Sequence, residues 1–367
     1  MRILFNSRKY DGIAGGVERM SISLMNAMVA RGHQVEVMSL DPGNATTFYP
    51  LDPAVRWTRI DVGDPGRKAR PSEMLERLWA MRAVVRRFRP DVGIGFQQGA
   101  FVALAAAALG TRTPVIAAER NAPQRFEHLK DGHGREFQFA SFRQARFVTV
   151  QFDSYRDHYP EHVRGRIVCI PNPVPPAEGA AAPAGRDGSR KTLLCVARLS
   201  YQKNQALLIN AFASVAARFP DWDLELVGDG EDRDVVASLA ASGALGRIRL
   251  AGAQTDVGRH YRAAHLFCLP SRWEGFPNAL AEAMAFGLPA VGLAGCAGVN
   301  SLIEEGRTGL LARDAGAAAL AEALSVLMVD PDRRVVMGAA ARKAIASYAP
   351  EAVFDQWEAL FEQAARR

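Results

Sequence analysis

Short apolar runs alternate along this chain with stretches whose apolar residues recur at helical spacing. Ile3–Phe5 is a buried-strand run that ends in Asn6 and Ser7. From Val17 to Ala30 the apolar positions Val17, Met20, Leu24, Ala27 and Met28 share one helical face, and Arg31-Gly32-His33 ends that helix. Gln34–Ser39 follows as a strand in which Val35 and Val37 alternate with polar residues. The unit then recurs. A basic helix, Ser72–Arg89, leads to a strand at Asp91–Gly95, and an alanine-rich helix, Ala100–Leu109, to Pro114–Ala118; Phe147–Val150 and Ile167–Ile170 complete the half. Strands alternating with helices predict a parallel sheet covered on both faces.

Residues 176–190 are rich in proline, alanine and glycine and read as a linker or exposed loop. Beyond them the pattern restarts. The strands are Thr192–Val196, Asp223–Val227, Ile248–Ala251, Leu266–Leu269 and Ala290–Leu293, and the helices are Asn204–Phe219, Asp232–Ala241, Asn278–Phe286 and Ala315–Leu327. A break at Tyr348–Pro350 precedes a last helix, Pro350–Ala364. The expected organisation is an N-terminal doubly wound domain over 1–175, a linker, a second such domain over 191–348, and a C-terminal segment, 349–367, crossing back to the first domain. Two such domains are expected to face a cleft with their strand ends, where ligands of α/β sheets bind.

Composition narrows the class. The 367 residues are 49% hydrophobic and 23% charged, an ordinary globular balance that excludes fibrous and wholly disordered chains. The longest apolar stretch, Ala100 to Leu109, is too short for the roughly 20 residues of a membrane span, and the N-terminus lacks a signal-peptide core, so a cytoplasmic protein is expected. Cys169, Cys195, Cys268 and Cys296 are scattered, with no metal-ligand spacing, and read as reduced thiols. The formal charge of +6 is uneven: 25 Lys+Arg against 17 Asp+Glu up to residue 175 gives +8, and 20 against 22 thereafter gives −2. The first half is the one built to meet an anion.

Several segments carry candidate chemistry. The loop Gly12–Gly16, between the first strand and helix, either touches a phosphate at the helix N-terminus or is a tight turn. Arg198, at the end of Thr192–Val196, and Lys203, just before the Asn204 helix, can hold a diphosphate or stand as solvated charges. Gly228 and Gly230 form a turn whose backbone can lie under a ligand. Between Leu269 and the next helix runs Pro270-Ser-Arg-Trp-Glu-Gly-Phe-Pro-Asn-Ala-Leu-Ala-Glu282. Here Glu274 and Glu282 flank one helix N-terminus, where Gly275 and Phe276 offer backbone N–H groups. Carboxylates suit the paired hydroxyls of a ribose or hexose; a helix-dipole partner and a surface glutamate are the plainer alternative. His128, Asp131 and His133 read as a solvated loop before a metal cluster, and His33 as structural. Asp221-Trp-Asp223 imitates a metal-binding DxD but precedes its strand, at the end away from the cleft. No metal is expected.

Taken in order, GGVER at 15–19, IPNPV at 170–174, VARLSYQKN at 196–204, LVGDG at 226–230, EGFPNALAE at 274–282 with AMAFGLPAVG after it, and EEGRTGLL at 304–311 resemble the family-4 retaining glycosyltransferases over nearly the whole chain. The resemblance implies an α/β GT-B fold of two Rossmann-like domains facing a central cleft, and metal-free transfer of a sugar from a nucleotide diphosphate sugar, which is a substrate and not a cofactor. It implies that Arg198 and Lys203 bind the diphosphate and neutralise the leaving group, that Glu282 holds the ribose, and that Glu274 contacts the donor sugar near the reacting carbon. Gly275, Phe276, Asn278 and Leu280 then line the donor, with Gly228 and Gly230 nearby, while Gly15 and Gly16 close on the phosphates. Glu119-Arg120-Asn121 stands where some relatives carry an acceptor-side histidine, which makes a histidine base there doubtful. Fixed cations stabilise the departing diphosphate most as the bond breaks.

The expected donor is a UDP-sugar, with a GDP-sugar as the alternative, and the expected acceptor is a glycan, on a polyprenyl diphosphate or free. Nucleic acid is not an expected partner. A nucleotide-sugar epimerase of the same fold and a non-catalytic two-lobed sugar-binding protein remain as other readings. An anionic membrane surface is a further expected partner. The Ser72–Arg89 helix sets Arg77, Arg82, Arg86, Arg87 and Arg89 beside a broad apolar face with Trp79, and Arg67, Lys68 and Arg70 lie just upstream.

Overall fold

A computed structural model describes residues 1–128, 132–185, 188–242 and 246–366. Two compact units account for them: Met1–Pro173 together with the C-terminal segment from Glu351, and Val174–Pro350. In the first unit the strands are β1 (Arg2–Asn6), β2 (Gln34–Ser39), β3 (Arg56–Arg59), β4 (Val92–Phe96), β5 (Val115–Ala118), β6 (Phe147–Val150) and β7 (Ile167–Cys169). Its helices are α1 (Gly16–Ala30), α2 (Pro71–Phe88), α3 (Gln97–Ala108), α4 (Arg125–His128), α5 (Gly132–Ser141) and α6 (Glu161–Arg164). The second unit holds β8 (Lys191–Val196), β9 (Trp222–Val227), β10 (Ile248–Gly252), β11 (Leu266–Leu269), β12 (Ala290–Leu293) and β13 (Gly309–Ala312). With them come α7 (Gln205–Val215), α8 (Arg233–Ser242), α9 (Gly258–Ala263), α10 (Asn278–Ala285), α11 (Val299–Leu302), α12 (Ala317–Val329) and α13 (Pro331–Ile345); α14 (Pro350–Ala365) closes the chain.

Both sheets are parallel. The first runs β3-β2-β1-β4-β5-β6-β7 and the second β10-β9-β8-β11-β12-β13. In the first, Ile3 sits between Val35 and Val92, and the central strands are apolar on both faces, as strands covered by helices must be. Strand order reverses at β1/β4 in one unit and at β8/β11 in the other. Loops that leave these strands at their carboxyl ends diverge there, which opens the crevice where such sheets take ligands.

The C-terminal helix belongs to the core of the first unit. Val353, Trp357, Leu360, Phe361 and Ala364 are buried among Phe5, Ile94, Phe96 and Ile116. Polar clasps fix its outer edge: Arg31 pairs with Glu351, Asp355 and Glu358, and His33 Nε2 meets Glu358 Oε1 at 2.7 Å. His33 is thus structural.

Three features depart from the pattern in the sequence. The stretch 176–190 is packed on the second unit and does not behave as a linker: the buried Arg334 donates to Pro183 O (2.7 Å) and Ala184 O (3.0 Å), and Ala181 N donates to Phe286 O (2.8 Å). Residues 186 and 187 of it lie outside the described residues. The edge strands β3 and β13 are four residues each; β3, Arg-Trp-Thr-Arg, carries no apolar run, and β13, Gly-Leu-Leu-Ala, is a short apolar run that is not among the expected strands. Helix α13 buries Arg334, Met337, Gly338, Ala341 and Ile345, too few large apolar residues for a helical stripe; its readable signal is Asp330, whose side chain accepts from Arg333 N at 2.8 Å, followed by Pro331 at the first position.

The Glu358 carboxyl is held below the usual glutamate range, first by its hydrogen bond to His33 and then by Arg31. A carboxyl lowered on folding adds stability above about pH 4.5, and that stability is lost as pH falls through the folded value. Glu358→Gln should therefore melt below wild type at pH 7, and the gap should close as acid protonates the native carboxylate. Thermal melts of both proteins across that range check it; a gap independent of pH would contradict it.

Candidate functional site

The second unit gathers most of the chemistry at its strand-order reversal. Arg198 and Lys203 lie on the loop that leaves β8, and Ser271 and Glu274 on the loop that leaves β11. Lys203 Nζ donates to Glu274 Oε1 at 2.6 Å, and Ser271 Oγ to the same oxygen at 2.6 Å. Glu274 is 4% exposed. A buried carboxylate needs such partners, because desolvation without them is costly. An ammonium has three protons, so Lys203 can hold Glu274 and still meet a second anion.

Further bonds stitch the two loops together. Gln202 Nε2 donates to Trp273 O (2.7 Å), Arg272 N to Gln202 O (2.8 Å), and Arg272 Nη2 to Asn204 Oδ1 (3.0 Å). The Arg272 guanidinium lies 4.4 Å from the Tyr201 ring centroid. Arg198 contrasts with this rigidity: its side chain is 62% exposed and its Nε stands 4.0 Å from Glu231 Oε2. It is the cation here with room to move onto an anion.

Gly228 and Gly230 are packed against the Arg198 loop. A Cβ at Gly228 would stand 2.0 Å from Ala197 O, and one at Gly230 2.3 Å from Leu199 O. They allow the turn after β9 to press against the Arg198 loop, to which it is bonded through Leu199 N to Asp229 O (3.0 Å) and Asp232 N to Leu199 O (3.1 Å). Their bare backbone supports the loop.

Helix α10 brings in the second carboxylate. Glu282 Oε2 accepts from the hydroxyl of Tyr261 at 3.0 Å, and that hydroxyl also lies 3.2 Å from Ala279 O. Tyr261 is buried and stacks on Phe286. Gly275 and Phe276 precede the helix, Phe276 packing near Tyr348. Asn278 is its first residue, and Leu280, fully buried, can offer only backbone to a ligand. Ser271 and Tyr261 were not evident from the sequence: Ser271 lies three residues before Glu274 in a loop of unknown path, and Tyr261 lies 21 residues before Glu282, beyond any local spacing.

In the first unit, Gly15 caps α1 with extended backbone and Gly16 opens the helix. The Glu18 carboxylate folds back towards Gly15, and partial burial raises its pKa. Glu119, Arg120 and Asn121 follow β5. Glu119 and Arg120 are buried and spend their polar groups within the unit. Arg120 donates to Ile170 O (3.1 Å), Asn172 Oδ1 (3.3 Å) and Thr149 Oγ1 (2.9 Å), and lies 5.5 Å from the Trp357 ring centroid. Glu119 accepts from Asn121 N (2.9 Å) and from Gln138. Burial raises the Glu119 carboxyl and lowers Arg120 to about 10, so the guanidinium stays charged at neutral pH. Of the three, Asn121 alone is only half-buried.

The DxD look-alike stands elsewhere: Asp221 pairs with Lys191 and Asp223 with Arg190, at the amino ends of β8 and β9. Asp131, and the side chains of His128 and His133, lie outside the described residues.

The family profile described as glycosyl transferases group 1 matches residues 180–344, and that of a glycosyl transferase 4-like domain matches residues 15–173. This chain belongs to the glycosyltransferase group 1 family. An uncharacterized glycosyltransferase of Haemophilus influenzae is 25% identical over 95% of this glycosyltransferase and 97% of its own length. The GalNAc-α-(1→4)-GalNAc-α-(1→3)-diNAcBac-PP-undecaprenol α-1,4-N-acetyl-D-galactosaminyltransferase of Campylobacter jejuni is 24% identical over 88% of each chain. Among solved structures, HepE of Anabaena, in complex with UDP and glucose, superposes with a TM-score of 0.76 at 18% identity over 99% of this chain and 100% of its own. The glycosyltransferase has the α/β GT-B fold, each unit a Rossmann-like parallel sheet.

Removing the Arg120 guanidinium would strand four acceptors, Glu119 O, Ile170 O, Asn172 Oδ1 and Thr149 Oγ1, and leave Glu119 with Arg125 as its ion-pair partner. Arg120→Met should cost about 3 kcal/mol or more of stability, read as an early unfolding transition in denaturant. A variant as stable as wild type would show that Arg120 is held for a ligand.

Proposed function

We propose that this glycosyltransferase moves a hexose or N-acetylhexosamine, with retention of configuration and without a metal, from a nucleotide diphosphate sugar to a lipid-linked glycan. The setting is polysaccharide or glycoconjugate assembly at the cytoplasmic side of a membrane. The observation that carries the donor half is the convergence of Arg198, Lys203 and Glu274 at the β8/β11 reversal, with Glu282 on the helix that follows. Exposed Arg198 and anchored Lys203 would neutralise the departing diphosphate, a charge that grows as the glycosidic bond breaks, so their stabilisation favours the transition state. Glu282 would accept from ribose hydroxyls and Glu274 from the sugar. The proton of the acceptor would pass to a phosphate oxygen of the leaving group on the same face. The UDP bound by HepE and the undecaprenol-linked acceptor in the name of the Campylobacter relative support the donor and acceptor classes.

Thermal shift with UDP, GDP and ADP, followed by turnover of the matching nucleotide sugars with and without a glycan acceptor, tests the reading. A midpoint raised by one nucleotide and acceptor-dependent release of that nucleotide are expected. Interconversion of the sugar without acceptor would mean an epimerase, and binding without turnover a sugar-binding protein. Arg198→Ala should lower kcat by about 100-fold or more. Glu282→Ala should raise the donor KM by about tenfold or more. Full activity in EDTA is expected; loss restored by manganese would overturn the metal-free mechanism.

Tyr261 acts in this scheme as a positioning residue. Tyr261→Phe removes one hydrogen bond to the Glu282 carboxylate and should raise the donor KM roughly fivefold with kcat unchanged. A fall in kcat at constant KM would assign Tyr261 another role.

A further inference from the structure

Helix α2 buries only part of its circumference. Met81, Val84 and Val85 are buried, whereas Met74 and Leu75 are 61% and 55% exposed and Trp79 is 61% exposed. Leu75, Trp79 and Arg86 are spaced by about one and two helical turns, so they form a line along the outer face. Arg82, next to that line, donates to Ala107 O (3.1 Å) and Leu109 O (2.7 Å) at the end of α3. Those bonds bring Leu109, also 61% exposed, to the same side. Three of the six large apolar side chains exposed in the first unit, among the described residues, namely Leu75, Trp79 and Leu109, therefore share one side of the α2/α3 pair.

Cations border it. Arg86, Arg89 and Arg112 line one concavity of about 890 Å³ with Val85, beside Arg2 and Asp91. Asp91 is engaged by Arg2, through its backbone N–H at 2.7 Å and its guanidinium at 3.6 Å. The guanidinium groups of Arg86, Arg89 and Arg112 find no hydrogen-bond or ion-pair partner among the described residues. The carboxylates near the face are Glu76, exposed on α2, and Glu73, which is paired with Arg67. An apolar stripe with an exposed tryptophan, bordered by unpaired arginines, matches the boundary between acyl chains and anionic head groups, where Trp and Arg each find their preferred depth. No described helix is long and apolar enough to cross a membrane.

The geometry points to this side of α2 and α3 as a docking surface for an anionic lipid bilayer. α2 connects β3 to β4, which run parallel, so it runs opposite to both. Met74, Leu75 and Trp79, in its first half, lie towards the carboxyl edge of the sheet, the edge from which the Gly15–Gly16 and Glu119–Asn121 loops emerge. Docking along α2 would lay the whole side of the sheet, that edge included, alongside the lipid. This orientation rests on the proposed lipid-linked acceptor; the docking itself does not.

Flotation of the full chain with vesicles of phosphatidylcholine, alone or mixed with phosphatidylglycerol, tests the surface. Recovery is expected with the anionic vesicles only, falling at high salt. Leu75→Ser with Trp79→Ser, and separately Arg86→Gln, Arg89→Gln and Arg112→Gln together, should each lose most of the floated fraction. All these side chains lie at the surface, and a thermal shift with the donor nucleotide should find the variants unchanged. Equal recovery with neutral vesicles, no recovery with either, or variants that float like wild type would overturn the proposal. So would a wild-type dimer that the Leu75/Trp79 variant converts to monomer while flotation is unaffected. Nucleotide binding without flotation refutes this surface alone, and flotation without nucleotide binding or turnover refutes the proposed function alone.

Discussion

The ion pair between the half-buried Lys203 and the buried Glu274 is the constraint around which the second unit's ligand edge is arranged. It spans the place where strand order reverses, so each partner comes from a loop that the sheet alone would leave to diverge. Removing Lys203 would leave the buried Glu274 carboxylate to Ser271 and its other neighbours, a loss of up to about 3–5 kcal/mol. The neighbouring features serve the same end. Ser271 takes up the same carboxylate oxygen, Gln202 and Arg272 tie the loops by side chain and backbone, and Gly228 and Gly230 let the next turn support the β8 loop from beside it. Arg198 projects from this frame with most of its side chain in solvent. An anchored cation beside a movable one allows an anion to be met without reorganising the protein around it.

The first unit solves the matching problem with one arginine and one helix. Arg120 joins the ends of β5, β6 and β7 from inside, a position where a cation is held only because each of its faces meets an acceptor or a ring. The ring is Trp357, so the helix that ends the chain is part of the same support. Arg31 and His33, which end α1 and lead into β2, clasp that helix at its other side through Glu358. The carboxyl edge of this sheet thus depends on a segment far along the chain, Arg120 resting on Trp357.

Much of this was legible in the sequence, and what was not has identifiable causes. The central strands could be read because helix-covered parallel strands are apolar runs, and α1, α7 and α10 because they bury one stripe. Edge strand β3 and helix α13 escaped because their burial involves few large apolar residues, whereas β13 is an apolar run too short to stand out beside its glycine-rich turn. The proline- and glycine-rich stretch at 176–190 looked like a linker, since composition records a segment's lack of regular structure and not the buried Arg334 that binds its carbonyls. In the site, Arg198, Lys203, Glu274 and Glu282 stood out through spacing around strand ends. Their partners Ser271 and Tyr261 did not, because a hydroxyl's partner is fixed by tertiary path and leaves no periodic trace. Glu119 and Arg120 could be placed at a strand end, but their direction could not, and both turn inward.

The charge asymmetry takes on a physical meaning once the pairing is known. The first unit's arginines fall into two groups. Arg31, Arg67, Arg77 and Arg120 have carboxylate or carbonyl partners and hold structure. Arg86, Arg89 and Arg112, without a partner among the described residues, surround one concavity at the amino edge of the sheet, close to the carboxyl ends of α2 and α3. Helix dipoles make those ends hospitable to cations, which accounts for their tolerance there. Dipoles do not account for Leu75, Trp79 and Leu109 in solvent on the same side, since each exposed apolar group forgoes the gain of burial. Electrostatics alone would need only the arginines, and core packing would need only the apolar residues turned inward. An environment that is apolar at its centre and anionic at its boundary, as we propose, would reward both sets of residues where they stand.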